Sequence, residues 1–384
     1  MENMKEKSKV KHIFKNLVVN AILVVLSFII ILLICEFVIF RIFLPAANLP
    51  QNQFVDGIIK YAPNQKGIFR KFDDYSTAYR INANGWNSRH AKYVLAKTNK
   101  SRIAIIGDSY VNALMVDYHR SLAEQLEDKL GPDKFEVYRF GVDGAPLSQY
   151  YQMLRKEVVK YSPDFVVIVL VHNDFDESYK FVPGRYTSSF LKIRVENGKI
   201  LGEIPPKPYH EGLAEYLVES SAIFRYLVFN RNVDIGSIRR LVFREPKADK
   251  IYRANINITK LNVEKLNNEK VTEYLLNKIK KLAQQHHFRL LFIMDGDRYD
   301  IYKGNKDALN YNKGVLKLNK MVRHITDKDG IPFIDLNPIF LQNYQQNHIK
   351  FNYVHDFHWN EYGHKIAAAT IYKYLRQQKI VQEN

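Results

Sequence analysis

Residues 103–110 constrain the fold of this chain more than any other stretch. Their sequence, Ile-Ala-Ile-Ile-Gly-Asp-Ser-Tyr, leads four apolar, β-favouring residues directly into a Gly-Asp-Ser turn. Such a run predicts a buried strand, and the turn places the Ser109 hydroxyl just past the carboxyl end of that strand. In open α/β sheets this is the edge at which ligands bind.

Downstream of this turn, strand-like and helix-like segments alternate along the chain. The strand-like runs cover residues 103–106, 135–140, 165–171, 290–294 and 332–336. The helical patterns cover about residues 121–130, 148–160, 271–286, 309–326 and 361–377. This alternation predicts an α/β fold, in which a central parallel sheet of about five strands carries helices on both faces.

An apolar segment near the N-terminus predicts a membrane-spanning helix. Between Leu17 and Cys35 only Asn20 and Ser27 interrupt the apolar run, which is long enough to cross a hydrocarbon core of about 30 Å. The flank before it is rich in lysine (Lys5, Lys7, Lys9, Lys11 and Lys15), so the positive-inside rule predicts a cytoplasmic N-terminus. A cleaved signal peptide is the alternative, but the run is long for one and no small-x-small cleavage site follows.

These features divide the chain into four segments. We expect a basic cytoplasmic tail over 1–16, a transmembrane anchor over 17–44, an irregular, β-rich lead-in over 45–100 and the α/β domain over 101–384. Residues 176–267 interrupt the strand–helix alternation directly after the third strand. We interpret them as an insertion that shapes or covers the substrate cleft, with a purely structural cap as the alternative.

Charge and cysteine content narrow the classes of partner. Lys and Arg outnumber Asp and Glu by 57 to 40, and the net charge of +17 favours anionic neighbours such as anionic lipid or acidic glycans. The sequence contains no nucleic-acid-binding motif, so we expect no nucleic-acid partner. Because Cys35 is the single cysteine, no intrachain disulfide is possible, and a disulfide-rich scaffold is excluded.

Four other residues supply what a serine nucleophile at Ser109 requires. His358, on a loop before the last helix, is the candidate general base, and Asp356 is the candidate acid that orients it. Gly144 follows the second strand and Asn173 follows the third. Together with the backbone N–H of Ser109, we expect them to form a three-donor oxyanion hole.

Each of these residues also has a simpler interpretation. Ser109 suits a helix N-cap, and Gly144 and Asn173 suit ordinary loop positions. The histidine-rich segment offers a metal site as a further alternative, with ligands from His355, Asp356, His358 and His364. The serine-hydrolase interpretation is preferred because the strands that precede these loops belong to one predicted sheet.

Four segments of the chain resemble the conserved blocks of the SGNH (GDSL-like) hydrolase superfamily, over about residues 100–380. They are residues 107–110, 141–144, 172–174 and 356–364, and residues 72–86 also resemble the lead-in of membrane-anchored bacterial members. The resemblance implies a flavodoxin-like, three-layer sandwich and a serine esterase or acyl-transfer activity without cofactor or metal. By position it implies that Ser109 is the nucleophile, Gly144 and Asn173 the oxyanion donors, His358 the base and Asp356 the acid.

One spacing departs from the family pattern. The usual Asp-x-x-His spacing would put the acid at position 355, which is His355, whereas this chain has Asp-x-His. We therefore expect a membrane-anchored serine esterase whose catalytic domain faces the periplasm or the cell exterior. We expect it to hydrolyse an acyl ester, with O-acetyl groups on a cell-envelope glycan as the favoured substrate. An O-acyltransferase acting on an envelope polysaccharide, a non-catalytic glycan-binding or assembly module, and hydrolysis of lipid esters are the alternatives.

Overall fold

The computed structural model describes residues 2–71, 74–181, 187–210, 212–231, 233, 252–253, 256–304 and 306–380. Parts of the expected insertion therefore lie outside the described residues, namely 182–186, 211, 232, 234–251 and 254–255, as do residues 381–384. The chain divides into two compact units. One comprises residues 1–48, 70–72 and 212–244, and the other comprises residues 49–69, 73–211 and 245–384.

The strands of the described residues are short and are distributed over most of the chain. They are β1 (Asn52–Val55), β2 (Ile58–Tyr61), β3 (Gln65–Lys71), β4 (Tyr75–Ile81), β5 (Ser101–Gly107), β6 (Phe135–Gly141), β7 (Phe165–Leu170), β8 (Lys192–Glu196), β9 (Lys199–Ile204), β10 (Tyr252–Arg253), β11 (Ile256–Asn257), β12 (Arg289–Met294) and β13 (Phe333–Asp335).

From β5 onwards, α-helices lie between the strands of the chain. The α-helices of the described residues are α1 (Glu2–Ile34), α2 (Ser109–Asn112), α3 (Leu122–Leu130), α4 (Leu147–Lys156), α5 (Leu213–Ser220), α6 (Ala222–Arg225), α7 (Lys265–Gln285), α8 (Arg298–Tyr302), α9 (Leu316–Asp329), α10 (Leu336–Asn347) and α11 (Glu361–Gln377). Two π-helical segments, Cys35–Phe43 and Tyr226–Asn230, follow α1 and α6 without a break.

A five-stranded parallel sheet forms the centre of the larger unit. Its strand order is β13-β12-β7-β5-β6, and every neighbouring pair is parallel. When the five strands are numbered along the chain, this is the flavodoxin-like order 2-1-3-4-5. The chain adds strands on one side of β5 first and then on the other, so the strand order reverses between β5 and β7. The predicted fold class is confirmed, and the five expected strands lie within two residues of their predicted bounds.

The two faces of the sheet bury alternate residues of the same strands. Ala104 and Ile106 of β5 pack into a core with α4, α7 and α9, whereas Ile103 and Ile105 pack into a second core with α3, α10 and α11. Because both faces are covered by helices, the central strands are apolar without alternation. The result is the three-layer sandwich that the sequence predicts.

Smaller antiparallel elements surround this sandwich. In the lead-in, β1 pairs with β2 and β3 pairs with β4. Within the expected insertion, β8 and β9 form an antiparallel hairpin. Asn197 and Gly198 connect these two strands with positive φ angles of 48° and 78°, the backbone that a type I′ turn requires.

The smaller unit contains the N-terminal helix. Among the described residues one helical stretch, Lys11–Phe43, is long and apolar enough to cross a membrane. Its apolar side chains are exposed, including Leu23, Leu26 and Ile30. The same unit holds α5, α6 and the π-helical turn that follows them.

Candidate functional site

Three loops carry the candidate residues away from the same edge of the sheet. Gly107 at the end of β5 lies opposite Gly141 of β6, and Ile106 lies opposite Ile168 of β7. Because these parallel strands are in register, the loops that follow them leave the sheet side by side. Ser109 follows β5, Gly144 follows β6 and Asn173 follows β7, around the point where the strand order reverses.

The turn that presents Ser109 is held by its neighbours in sequence. Asp108 caps α2, since its carboxylate accepts from the backbone N–H of Tyr110 at 2.9 Å. At the end of β6, Gly141 lets α2 approach closely, because a Cβ at this position would collide with the backbone of Asn112. The short helix is thereby packed against the end of the sheet, with the Ser109 hydroxyl at its first residue.

The structure brings Ser109, His358 and Asp356 into one hydrogen-bonded chain. The Ser109 Oγ lies 2.8 Å from Nε2 of His358, and Nδ1 of His358 lies 2.5 Å from Oδ1 of Asp356. Asp356 is buried, Ser109 is 7% exposed and the His358 side chain is 19% exposed. The three side chains thus form a hydrogen-bonded chain that runs from the buried carboxylate of Asp356 to the hydroxyl of Ser109.

One assignment of the protons matches these hydrogen bonds. An ionised carboxylate only accepts hydrogen bonds, so the Asp356 oxygen requires the proton of His358 on Nδ1. The lone pair of Nε2 then faces the Ser109 hydroxyl, which donates to it. This arrangement can withdraw the serine proton during attack on an acyl carbon.

Tyr75 completes the environment of Asp356, and no sequence motif pointed to this residue. The Tyr75 hydroxyl donates to Oδ2 of Asp356 at 2.8 Å, while Oδ1 also accepts from the backbone N–H of His358 at 3.0 Å. Burial and the adjacent Asp356 carboxylate raise the pKa of Tyr75, so the phenol keeps the proton that it donates. Both oxygens of the acid are therefore occupied by donors.

A buried arginine connects the serine turn with the histidine loop. The Arg298 guanidinium donates to the backbone carbonyl of Phe357 at 2.5 Å and to the Tyr110 hydroxyl at 2.6 Å. Tyr110 itself donates to the same Phe357 carbonyl at 3.1 Å. Since Tyr110 follows Ser109 and Phe357 precedes His358, this contact holds both loops in one position.

Asp295 binds both Arg298 and Trp359, the residue that follows His358. Its Oδ2 accepts from Arg298 at 2.8 Å, and its Oδ1 accepts from the indole N–H of Trp359 at 2.9 Å. All three side chains are buried. Sequence reasoning missed this pair, although Asp295 directly follows the fourth strand of the sheet, the position that singled out the other candidate residues.

Gly144 and the Ser109 N–H are placed as candidate oxyanion donors by their backbone. Gly144 is exposed with a φ of 67°, a conformation that L-residues rarely adopt, in the loop after β6. In the first turn of α2, the N–H groups of Tyr110, Val111 and Asn112 all donate to Asp108. Among the backbone N–H groups of this turn, that of Ser109 therefore has no acceptor in the described part of the chain.

Asn173, the third candidate donor, has a partly buried acidic side chain as its neighbour. Its amide is hydrogen-bonded to Glu177, whose pKa is raised to about 7 by burial. Lys192 of β8 donates to the Glu177 carbonyl at 2.5 Å, and burial lowers the pKa of Lys192 to about 8. The hairpin of the expected insertion therefore contacts the residue that orients Asn173.

Asp108 places a second carboxyl group beside the serine. The Ser109 hydroxyl lies 3.4 Å from Oδ2 of Asp108. Burial raises the pKa of Asp108 to about 7, against the lowering effect of the Tyr110 backbone N–H and of His358. The charge next to the serine therefore changes near neutral pH.

Of the four alternative metal ligands, His355 and His364 each bind a partner away from the Asp356–His358 pair. His355 is exposed, and its Nδ1 lies 3.1 Å from a carboxylate oxygen of Asp74. His364 is buried and accepts from the backbone N–H of Leu122 at 3.2 Å, and burial lowers its pKa to about 3. No group of three or more His, Cys, Asp or Glu side chains is arranged to hold a metal ion in the described part of the chain.

Two family models match the chain in sequence. Residues 103–196 match the GDSL-like Lipase/Acylhydrolase family, and residues 257–384 match the SGNH hydrolase-like domain of acetyltransferase AlgX. The first range carries Ser109, Gly144 and Asn173, and the second carries Asp356 and His358. A search of curated proteins gave no match.

Solved structures with a similar fold include several esterases. The acetyl xylan esterase AlAXEase shares 14% identity at a TM-score of 0.39, covering 71% of this chain and 99% of its own. A two-domain esterase (CEX) active on acetylated mannans shares 12% identity at a TM-score of 0.38, covering 74% of this chain and 51% of its own. The lipase/acylhydrolase from Enterococcus faecalis shares 14% identity at a TM-score of 0.37, covering 72% and 96%. At these identities and TM-scores, the family assignment rests on the two sequence matches.

Proposed function

We propose that Ser109 is the nucleophile of the α/β domain, an ester hydrolase of the SGNH (GDSL-like) superfamily, with His358 as its general base and Asp356 as the acid that orients the base. The observation that carries this proposal is the pair of hydrogen bonds, 2.8 Å from Ser109 to His358 and 2.5 Å from His358 to Asp356. A serine hydroxyl is a weak nucleophile unless a positioned base removes its proton, and this chain of residues meets that requirement.

The reaction then runs through two covalent steps. The Ser109 Oγ attacks the acyl carbonyl carbon while Nε2 of His358 takes the hydroxyl proton. The tetrahedral intermediate collapses, the ester C–O bond breaks, and His358 returns the proton to the departing alcohol. A water molecule attacks the acyl-enzyme with the same base and releases the acid, which restores the free serine.

The oxyanion of each tetrahedral intermediate requires donors that are already in place. We assign this role to the backbone N–H groups of Ser109 and Gly144 and to the Asn173 side-chain amide. A carboxylate at Glu177 accepts one amide N–H of Asn173, which fixes the amide orientation and leaves the second N–H for the substrate oxygen. Loss of one such donor typically reduces kcat by about 10²–10³.

For the substrate, we propose an O-acetyl ester carried on a cell-envelope glycan. Ser109 is only 7% exposed, and such restricted access favours a small acyl group. On the same loop as His358, Phe357 and Val354 are 63% and 82% exposed, so the site has apolar side chains to offer the alcohol portion of an ester. The match of residues 257–384 to a domain of an acetyltransferase supports an acetyl group.

Acyl transfer is the second candidate, and the same sequence match favours it. The acyl-enzyme would form in the same way, but a sugar hydroxyl would replace water in the second step. His358 would take the proton of that hydroxyl, and the acetyl group would end on the polysaccharide. Hydrolysis and transfer therefore differ only in the acceptor that reaches the acyl-enzyme.

We further propose that α1 anchors the protein in a membrane as an uncleaved single span. Glu36, just after α1, accepts from the Ser221 hydroxyl at 2.7 Å and from the backbone N–H groups of Ala222 at 2.7 Å and Ile223 at 3.1 Å. Cleavage of the helix as a signal peptide would remove this partner from the start of α6. The lysines that precede the apolar run of α1 support a cytoplasmic N-terminus.

The test uses the full chain in detergent micelles with an O-acetylated glycan. We expect acetate release, abolished in Ser109→Ala and retained in the matched control Ser101→Ala, which alters an exposed serine at the other end of the same strand. Transfer is recognised by labelled acetyl groups appearing on a second, unacetylated glycan. If acetate release is equal in both variants, the assignment of Ser109 is wrong.

A further inference from the structure

We propose that residues 212–231 form a second membrane-contacting element, which lies in the lipid headgroup region around the end of the anchor helix. The proposal rests on the anchor put forward above and adds to it a surface that binds the bilayer. It concerns only the smaller compact unit, which contains α1, α5, α6 and the two π-helical segments.

The first observation is that Glu36 fastens this segment to the helix end. Besides the donors at the start of α6, the carboxylate accepts from the Arg41 guanidinium at 3.0 Å. A carboxylate in an apolar helix is costly in lipid unless donors satisfy it. Here the segment supplies three of the donors, so α6 is held at the depth at which the apolar helix ends.

Three further contacts continue this attachment beyond Glu36. The rings of Phe40 and Tyr226 lie 4.6 Å apart, between the two π-helical segments. The Asn230 side chain accepts from the Ala47 N–H at 3.1 Å and donates to the Pro45 carbonyl at 3.3 Å. The attachment therefore extends over about ten residues of chain on each side.

The second observation is the composition of what remains exposed. We call it the apolar collar, and it comprises Phe37, Ile42, Phe43 and Leu44 after the helix and Tyr216, Leu217, Phe224 and Leu227 on the attached segment. Each of these side chains is between 37% and 70% exposed. The surfaces of soluble proteins rarely present contiguous apolar patches of this kind, and such patches mark contact with a partner or a membrane.

Aromatic residues within the collar and arginines beside it favour lipid over a protein partner. Aromatic rings are enriched where a membrane-spanning helix leaves the hydrocarbon core. The Arg41 guanidinium lies 5.5 Å from the Phe37 ring, and that of Arg231 lies 5.8 Å from the Tyr226 ring. Arginine side chains in this position place their charge at the phosphates while their stems cover apolar surface. Because the collar residues Phe37, Ile42 and Phe43 belong to the apolar stretch Lys11–Phe43 itself, the bilayer that surrounds that stretch is the occupant of the collar.

The experiment places a fluorescent label at single positions of the full chain reconstituted in phosphatidylcholine–phosphatidylglycerol vesicles. A Cys35→Ser background removes the single cysteine. The labelled variants are Tyr216→Cys and Phe224→Cys in the collar, Leu26→Cys in the anchor and Val263→Cys as an exposed apolar control in the other unit. Nitroxide lipids report contact with the bilayer, and iodide reports contact with water.

We expect loss of fluorescence with headgroup-proximal nitroxide lipid at positions 216 and 224, with deep nitroxide lipid at position 26, and with iodide alone at position 263. Iodide quenching at 216 and 224, with position 26 still in lipid, would overturn the collar and leave the anchor intact. Protection of 216 and 224 from both quenchers would mean that protein covers the collar, which also overturns the proposal. Water accessibility at position 26 would remove the anchor itself.

Discussion

At the scale of single residues, hydrogen bonding supports Asp356 as the proposed acid. Asp356 stands two residues before His358, and this short spacing lets one carboxylate oxygen accept from both the backbone N–H and the Nδ1–H of that histidine. His355 occupies the position at which the resembled family usually has its acid, but it pairs with Asp74 instead. The buried carboxylate and the exposed imidazole therefore have separate surroundings.

Substituting these two residues separates their roles. In Asp356→Asn, the imidazole loses the acceptor that fixes its tautomer, and we expect kcat to fall by about 10³–10⁴. In the matched control His355→Ala, we expect kcat to stay unchanged, because this side chain lies outside the hydrogen-bonded chain. The measurement is kcat and KM for hydrolysis of p-nitrophenyl acetate. A loss confined to His355→Ala would contradict the assignment.

Because the pKa of Asp108 is raised by burial, we expect the stability of the folded protein to depend on pH. Burial raises its pKa from 3.8 to about 7 in the folded protein. Between these values the folded state binds more protons than the unfolded state, so the contribution of this group to stability falls as the pH rises towards 7. Asp108→Asn keeps an N-cap acceptor but has no proton to lose. We expect the effect of this substitution on the free energy of unfolding to be more stabilising at about pH 8 than at about pH 4. The difference between the two pH values is at most about 4 kcal/mol.

Denaturant unfolding of the full chain in detergent micelles, at both pH values, measures this difference. The natural sequence serves as the reference at each pH, so general effects of acid cancel. An equal effect of Asp108→Asn at the two pH values would show that the buried carboxyl group does not titrate in this range.

The packing of α2 against β6 governs the site at the scale of elements. A methyl group at Gly141 would collide with the α2 backbone, whereas one at Gly131, with a φ of 89°, would meet nothing within 4 Å. We expect Gly141→Ala to lower both the melting temperature and kcat, because α2 carries Ser109. The matched control Gly131→Ala introduces only backbone strain of about 1–2 kcal/mol. Unchanged kcat in Gly141→Ala would mean that the serine turn tolerates displacement of α2.

Elements buried on both faces were the easiest to predict from the sequence. The central strands are read as apolar runs because helices cover both sides of the sheet. Helix α10 was missed because Asp335 ends β13 and caps the helix at once, so no loop separates the two elements. The β8–β9 hairpin was also missed, although Asn197-Gly198 is a strong turn signal.

The contacts that complete the site depend on tertiary structure and could not be predicted. Ser109 and His358 were found through local motifs, although 249 residues separate them. Tyr75 approaches Asp356 from 281 residues away, and its strand has no feature that points to the site. Arg298 contacts Tyr110 and Phe357 only because α8 follows a strand of the same sheet. Motifs therefore indicate the reacting groups, and packing decides their supports.

Membrane orientation is a prediction for the whole molecule. The lysines that precede the apolar run of α1 favour a cytoplasmic N-terminus and place the C-terminus outside. When the full chain is expressed in a bacterium, we expect alkaline phosphatase at the C-terminus to be active and green fluorescent protein there to be dark. Replacing Lys5, Lys7, Lys9, Lys11 and Lys15 with Gln should weaken this bias. Bright C-terminal fluorescence in the natural sequence would contradict the orientation.

Covalent labelling of Ser109 by a fluorophosphonate tests the central claim most directly, because the probe reacts with a serine only when a base activates it. The full chain is labelled in detergent micelles and the modified peptide is identified by mass spectrometry. We expect the label on Ser109, lost in Ser109→Ala and in His358→Ala, and retained in the control Ser101→Ala. Labelling of another residue, or labelling of Ser109 that persists without His358, would contradict the account.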